Sequence, residues 1–265
     1  MKGKIKINAT KIRGMILPII LIIIWQVFSS VGIFEKHLLP GPIVVMGALI
    51  ELLKTGELIT HVLATTYRVL SGFLIGASIA IIFGTLTGYY TKAFELCDPL
   101  IQALRTIPSL AWVPLFILWL GIGESSKLSL IAVGVFFPVY LNWVMGIRGV
   151  DPKYIEVGAM YHFTPMETIR KILIPATLPF LFTGLRTGLG LGWMFVVAAE
   201  LMGASSGLGY LMVLGQNSSA PELILGSIIM FAVLGNITDT VLIYIEGKVL
   251  HWKESFKGGE NNVSH

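Results

Sequence analysis

The run LPFLFTGLRTGLGLGWMFVVAAELM, from Leu178 to Met202, decides the fold class of this chain. Arg186 and Glu200 are its only charged residues. A bilayer core of about 30 Å is crossed by about 20 mostly apolar residues in a helix. The run also lacks the alternation of a membrane barrel strand. It therefore predicts a membrane-spanning helix.

Five further apolar runs accompany this one. They are Met15–Phe34, Val69–Tyr90, Ala103–Ile122, Leu128–Ile147 and Leu223–Tyr244. Across all 265 residues, 55% are hydrophobic and 13% are charged, against about 25% charged in soluble proteins. These proportions exclude an ordinary soluble domain and a disordered chain. The sequence predicts an all-α membrane protein with about six transmembrane helices.

Glycines four residues apart recur inside the runs. The pairs are Gly72/Gly76, Gly84/Gly88, Gly184/Gly188 and Gly188/Gly192. Small residues on one helix face let helices approach closely in lipid. The pairs predict close packing, either within the helix bundle or at a subunit interface.

Lysine and arginine lie mainly at the two chain ends and in one internal connection, which predicts that both termini are cytoplasmic. They form no stripe with exposed aromatics, so no nucleic-acid partner is predicted. The predicted organisation is a cytoplasmic basic leader (1–14), a first transmembrane helix (15–34), an external amphipathic connection (35–65), a transmembrane core (66–246) with a cytoplasmic loop (148–175), and a cytoplasmic polar tail (247–265).

The predicted cytoplasmic loop reads RGVDPKYIEVGAMYHFTPMETIRKILIP, from Arg148 to Pro175. Asp151-Pro152 is a typical helix start. Thr164-Pro165 with Glu167 resembles a second start with a capping box. Two short helices in such a loop indicate either a docking surface or a merely structural connection.

Glu156, Val157, Gly158 and Ala159, followed by Leu173-Ile174-Pro175, resemble the Glu-Ala-Ala loop of bacterial ABC-importer permeases. The similarity extends over about Thr66–Tyr244. It is strongest to the binding-protein-dependent branch that imports aliphatic sulfonates, taurine, nitrate or bicarbonate. The similar segments are GFLIGASIA (72–80), DPLIQALRTIPSLAWVPLFILWLGIGE (98–124), FTGLRTGLGLGW (182–193) and VVAAELMGASSGLGYLM (196–212).

This resemblance implies a type I ABC-importer permease fold in the bacterial cytoplasmic membrane. It also implies a second permease copy, cytoplasmic ATPase subunits that bind ATP and Mg, and an extracytoplasmic solute-binding protein. In that family the loop couples to the ATPase, so the coupling residues implied here are Glu156, Val157, Gly158, Ala159, His162 and Pro175. His162 stands where the family usually has glycine. Either the backbone there needs no positive φ, or the turn differs.

The sequence lacks the motifs for nucleotide binding, metal binding and nucleophilic catalysis. No G-x-x-x-x-G-K-[ST] phosphate loop occurs, so this chain is not expected to bind ATP by itself. If transport is ATP-driven, another polypeptide supplies the nucleotide site. Cys97 is the single cysteine, and neither a metal-ligand cluster nor a nucleophile–base motif is present. We expect a non-catalytic subunit with no cofactor of its own. The glycine-rich stretch Gly203–Gly209 is expected to be an external turn.

Ionisable and polar residues inside spans are expensive in lipid and often functional. Arg186 is the leading candidate for a pathway that carries a small anion, with Asn142, Ser109 and Trp112 as further candidates. The alternative for Arg186 is a structural pair with a neighbouring carboxylate. Asp239 and Glu200 repel an anion, so structural or gating roles are expected for them.

The predicted function is the permease subunit of an ATP-driven importer, with an aliphatic sulfonate as the first choice of solute. Taurine, nitrate, bicarbonate and a vitamin precursor remain alternatives, as does a heterodimer in place of a homodimer. A self-sufficient secondary transporter is the alternative of another class, and Asp239 is the one feature that favours it. A membrane-embedded enzyme lacks a catalytic constellation.

Overall fold

The computed structural model describes residues 9–31 and 38–251, with side chains for 16–31, 38–108 and 110–251. Every regular element of these residues is helical. The start of the predicted leader (1–8), the end of the predicted first span (32–34) and most of the predicted tail (252–265) lie outside the described residues.

The helices follow one another through short connections. Their bounds are α1 Ala9–Val31, α2 Pro42–Thr55, α3 Glu57–Tyr89, α4 Thr91–Leu104, α5 Val113–Leu120, α6 Glu124–Arg148, α7 Pro152–Met160, α8 Pro165–Thr168, α9 Ile174–Leu201, α10 Leu208–Asn217 and α11 Pro221–Val249. A 3₁₀ turn, Ser109–Trp112, precedes α5, and a π-helical turn, Ile169–Leu173, joins α8 to α9.

Four stretches of helix among the described residues are long and apolar enough to cross a membrane: Glu57–Tyr89, Glu124–Arg148, Pro165–Leu201 and Pro221–Val249. Two shorter apolar helices, Ile16–Val31 and Leu110–Leu120, accompany them. The prediction of one continuous helix over Ala103–Ile122 is wrong. The helix breaks between Leu104 and Ser109, because Pro108 has no N–H and biases Ile107 away from the helical region.

Two predicted boundaries also differ from the structure. Helix α1 begins at Ala9, inside the predicted leader, and α3 begins at Glu57, inside the predicted external connection. Gly56 separates α2 from α3 with φ +82. The amphipathic pattern that predicted one external connection therefore combines α2 with the first turns of a much longer helix.

The chain forms two compact units. The first comprises the residues up to Tyr67 together with Val196–Val233. In it, Pro40 and Gly41 turn the chain between α1 and α2. The backbone N–H of Ile43 donates to Gln26 Oε1 at 3.3 Å, and Ser29 Oγ donates to the Leu39 carbonyl at 3.2 Å. These bonds fix the corner that follows α1.

The second unit comprises Arg68–Phe195 and the residues from Leu234 onward. Its core is α6, where Leu130, Ile131, Val135, Val139, Tyr140 and Trp143 are almost completely buried. A Cβ on Gly76 would overlap the Ala132 backbone, and one on Gly188 would lie 3.0 Å from Val139 Cγ2. Helices α3 and α9 thus pack their glycine faces on α6, which confirms close packing within the bundle.

A charged cluster ties α3 to the start of α6. Arg68 Nε and Nη2 donate to the two Glu124 oxygens at 2.7 and 2.8 Å, and Lys127 Nζ lies 3.0 Å from Glu124 Oε1. The Arg68 and Lys127 side chains are buried, while Glu124 is half exposed. Because loss of Glu124 would leave the buried Arg68 and Lys127 charges uncompensated, the cluster holds the start of α6 against α3.

Candidate functional site

The loop between α6 and α9, residues 148–175, is called the α7 loop below. Helix α7 starts as the sequence predicts: Asp151 Oδ1 accepts the Lys153 N–H at 2.9 Å, and Pro152 occupies the first helical position. The aspartate satisfies one of the amides that every helix start leaves open. The start of α7 is therefore set by local chemistry.

Helix α7 exposes nearly all of its side chains. Gly158 is its one buried residue, and Glu156 is exposed. Large apolar side chains are exposed in and just after the helix: Tyr154 (61%), Val157 (48%), Met160 (79%) and Tyr161 (72%). A clustered apolar surface in a loop that the charge pattern puts in water is typical of a docking site.

His162 ends α7 with a left-handed backbone, φ +55. The His162 N–H donates to the Ala159 carbonyl at 2.9 Å, and the Phe163 N–H donates to the Gly158 carbonyl at 3.0 Å. These two bonds form a Schellman motif, which places a left-handed residue just after the helix. The alternative that the backbone at His162 needs no positive φ is therefore wrong. His162 thus adopts a left-handed backbone conformation that glycine adopts more readily.

The second helix of the α7 loop begins with a reciprocal capping box. Glu167 N–H donates to Thr164 Oγ1 at 3.3 Å, and the Thr164 N–H donates to Glu167 Oε2 at 3.0 Å. Lys171 Nζ lies 2.8 Å from Glu167 Oε1, one turn further on. The predicted capping box is confirmed.

The α7 loop is anchored where it meets the long helices. A Cβ on Gly158 would lie 2.7 Å from Ile172 Cδ1, so α7 rests directly on the π-helical turn. Leu173, in the same turn, belongs to a buried cluster with Trp143 and Ile147 of α6. Pro175, the last of the predicted coupling residues, lies exposed at the start of α9. A direct path of contacts thus leads from α7 into α9.

Arg186 lies near the middle of α9 and pairs with Asp239 of α11. Its Nε and Nη2 donate to the two carboxylate oxygens at 3.0 and 3.2 Å. The two side chains remain 42% and 40% exposed. The pairing with a carboxylate, one of the two alternatives for Arg186, is present. A purely structural pair would not need to be exposed. Because an ion pair in lipid is costly, such a pair normally faces the bundle interior or water.

The other predicted pathway residues lie apart from this pair. Asn142 lines a cavity beside α4, and its Nδ2 donates to the Pro138 carbonyl at 2.8 Å. Trp112 stacks on Phe116 with ring centroids 6.2 Å apart, and its buried Nε1 has no hydrogen-bond partner among the described residues. The backbone of Ser109 starts the 3₁₀ turn. Among the described side chains, neither Asn142 nor Trp112 forms a hydrogen bond or ion pair with Arg186.

Sequence reasoning missed the partners of Glu200. This buried carboxylate accepts the Thr65 hydroxyl at 2.8 Å and the Gly209 N–H at 2.7 Å. Thr65 Oγ1 in turn accepts the Leu208 N–H at 2.8 Å, and His61 Nδ1 accepts the Gly207 N–H at 3.1 Å. Gly207 has φ +119, and a Cβ there would overlap the Glu200 carboxylate. In the sequence, the glycines at 207 and 209 were the only indication that another group approaches the backbone closely there.

Four long apolar helices in the described part of the chain define the class of this protein as a multi-span membrane protein. An exposed helix with apolar side chains and an ion pair inside a span are features expected of a transport subunit. The model of the binding-protein-dependent transport system inner membrane component family matches residues 72–251. The chain belongs to this family, which is non-catalytic and resides in the inner membrane. Its system is dependent on a binding protein and is ATP-driven, so an ATPase and a binding protein are implied as partners.

Named relatives cover almost the whole chain. A protein of Bacillus subtilis (strain 168) named as aliphatic sulfonates transport permease protein SsuC is 42% identical, over 93% of this chain and 89% of the relative. The Escherichia coli (strain K12) protein of the same name is 35% identical, over 96% of each chain. The nitrate import permease NrtB of Synechocystis sp. and the E. coli taurine permease TauC are 30% and 27% identical, over 90% and 88% of this chain and 89% and 86% of theirs.

The fold has a solved counterpart. A chain of the MetNI methionine ABC transporter, in an inward facing conformation, superimposes with a TM-score of 0.65 at 19% identity. The match covers 74% of this chain and 97% of that one. At this identity the match concerns the fold alone. It indicates that the matched part of this chain has the same fold as that transporter chain.

Proposed function

We propose that this chain is the permease subunit of an ATP-driven importer of aliphatic sulfonates. Two copies form the membrane pathway, with both termini in the cytoplasm and the type I fold. A pair of cytoplasmic ATPase subunits binds ATP and Mg, and an external binding protein delivers the solute. The 42% identity to a relative named for aliphatic sulfonates supports the choice of solute.

The observation that carries this proposal is the contact path from α7 into α9. Exposed Glu156 and its apolar neighbours form the surface that docks on the ATPase. Gly158 rests on the π-helical turn, and Leu173 of that turn is buried against α6. When ATP binding closes the ATPase pair, α7 moves, and this path transfers the movement to α9.

The Arg186–Asp239 pair supports a pathway along α9 and α11. A charged pair exposed in the middle of a span faces either the second copy or the water-filled pathway, because lipid would penalise it. Thr183 and Thr187 are exposed next to Arg186 and add hydroxyl groups to this face. A passing sulfonate then meets a cation whose charge Asp239 moderates.

Growth on defined sulfur sources tests the solute directly. A strain lacking this gene is grown on a panel of alkanesulfonates, on taurine and on sulfate, each as sole sulfur source. We expect growth to fail on alkanesulfonates alone and to return when the gene is restored. Normal growth of the deletion strain on all of these sources contradicts the choice of sulfonate, and the panel is then repeated with nitrate as sole nitrogen source.

Arg186→Ala tests the pathway assignment. We expect uptake by the reconstituted importer to fall about tenfold or more, as a lost charged hydrogen bond implies, while recovery of the permease–ATPase complex is unchanged. Lys54→Ala removes an exposed cation of α2, outside the pathway residues and the α7 loop, and serves as the control that is expected to leave uptake unchanged. An equal loss of uptake and of complex recovery in Arg186→Ala favours a structural role.

A further inference from the structure

A cavity of about 310 Å³ lies within the second unit, between α4 and the last two turns of α6. Five of its lining residues are polar or charged: Asp98, Gln102, Arg105, Asn142 and Arg148. Asn142 was predicted for the pathway, while the two arginines, the aspartate and the glutamine were not. The cavity thus brings a polar set together at the end of α6 that leads into the α7 loop.

The charges in this cavity differ from the two other arginines that lie among the long helices of this unit. Arg68 and Arg186 each donate to a carboxylate through two nitrogens. In the part of the chain that the structure describes, the Arg105 and Asp98 side chains enter no hydrogen bond or ion pair. The same holds for the Gln102 amide. Donors that line a cavity without a protein partner are available to a ligand.

Arg148 is held in place without using its donors. Its guanidinium carbon stacks over the Phe94 ring, 3.9 Å from the centroid. Such stacking engages the flat face of the guanidinium and leaves the N–H groups at its edge. Arg148 is therefore positioned by an aromatic face while it remains able to donate toward the cavity.

We propose that this cavity binds a small sulfur oxyanion, with its oxygens received by the guanidinium groups of Arg105 and Arg148. Guanidinium groups suit oxyanions because they present paired N–H donors. Gln102 adds amide donors, and Asn142 keeps one N–H beyond its bond to Pro138. The proposal deepens the proposed function and rests on it, because a sulfonate is the solute proposed for this permease.

Asp98 is expected to lower the affinity of the cavity for an anion. Two cations and one carboxylate leave a net charge of +1 in the cavity. A transport site has to bind well enough to be entered and weakly enough to be left. The carboxylate lowers the affinity for an anion and so favours its release.

Equilibrium binding to the purified permease–ATPase complex without nucleotide tests this site. The probes are ethanesulfonate and sulfate, measured by calorimetry at constant ionic strength. We expect saturable binding that Arg105→Gln and Arg148→Gln each weaken at least about tenfold. Asp98→Asn is expected to strengthen it several-fold. Lys92→Gln removes an exposed cation of the same helix α4 that does not line the cavity, and is expected to change nothing.

A folding defect would weaken binding in every variant. A loss of affinity in Arg105→Gln together with a gain in Asp98→Asn therefore indicates a direct effect on the binding site. Arg105→Lys is expected to recover part of the affinity lost in Arg105→Gln. Tighter binding of ethanesulfonate than of sulfate identifies the transported solute as the ligand, and the reverse order identifies inorganic sulfate from the cytosol. No saturable binding of either probe, or equal binding in Arg105→Gln, overturns the proposal.

A parallel uptake assay separates this proposal from the proposed function. If the wild-type complex imports sulfonate but binds neither probe, the cavity site is wrong and the importer assignment stands. If the complex binds the probes with the expected variant pattern but imports no sulfonate, the site stands and the solute is wrong.

Discussion

The α7 loop and the loop that follows α9 satisfy their polar groups in opposite ways. In the α7 loop, caps and turns close on neighbours in sequence, and nearly every side chain of α7 stays exposed. After α9, Gly207 and Leu208 donate their amides to His61 and Thr65 of α3, far away in the chain, and Gly209 donates its amide to Glu200 at the end of α9. The first loop is complete locally and presents a surface. The second is held by long-range contacts and presents little.

This difference predicts which substitutions lower the stability of the fold and which ones only weaken binding to the ATPase. The loop after α9 depends on a buried carboxylate, since an unsatisfied buried group costs about 1–3 kcal/mol or more. The α7 loop depends on its exposed surface, so changes there are expected to spare the fold and affect assembly.

Gly207→Ala has the largest expected effect. The new Cβ would overlap the Glu200 carboxylate at a φ that L residues avoid, so we expect a loss of about 3 kcal/mol or more in stability. The measurement is the thermal transition in detergent, followed by size exclusion. Gly47→Ala is the matched control, because nothing lies within 4 Å of its Cβ position. A transition of Gly207→Ala equal to that of the control contradicts the role given to Glu200.

Glu156→Lys is expected to weaken binding of the permease to the ATPase without unfolding the permease. It inverts a charge on the exposed docking surface of α7, so we expect recovery of the ATPase with the tagged permease to fall at least about tenfold. Membrane insertion and the thermal transition should match the wild type. Glu51→Lys, an exposed charge inversion on α2, is the control. Full ATPase recovery with Glu156→Lys refutes docking through α7.

His162→Gly is expected to stabilise the α7 loop slightly. A non-glycine residue in the left-handed region costs about 1 kcal/mol, and glycine removes this cost but adds flexibility to the unfolded chain. We expect a net gain of about 0.5 kcal/mol, measured as a small rise of the thermal transition. Tyr161→Gly, one residue earlier with φ −86, should lower it. A fall in His162→Gly indicates that the histidine side chain makes a compensating contact.

Local chemistry made much of this fold predictable. The apolar runs, the Asp151-Pro152 start and the Thr164–Glu167 capping box depend on residues close in sequence, and each predicted its element. The break near Pro108 was missed because the hydrophobicity of the run outweighed a single proline in the prediction. Composition detects a stretch that is apolar enough to enter a membrane. It does not detect whether that stretch is one helix.

The candidate site was less predictable, because its partners are distant in the chain. The sequence marked Arg186 as a candidate, either for the pathway or for a pair with a carboxylate. Nothing in the sequence selects Asp239, 53 residues away, as that carboxylate. The partners of Glu200 come from α3 and from the start of α10, which no local pattern joins. Arg105 and Arg148 lie 43 residues apart in the numbering and meet only through the packing of α4 beside α6.

The π-helical turn at Ile169–Leu173 gives the molecule a compliant joint. Its wider ring of hydrogen bonds is a known place for helices to bend, whereas the α-helix on either side resists bending. In the proposed coupling, a movement of α7 reaches α9 through this turn, and part of it is absorbed as bending of the turn. The stiffness of these five residues, in addition to the strength of docking, would then set how far Arg186 moves.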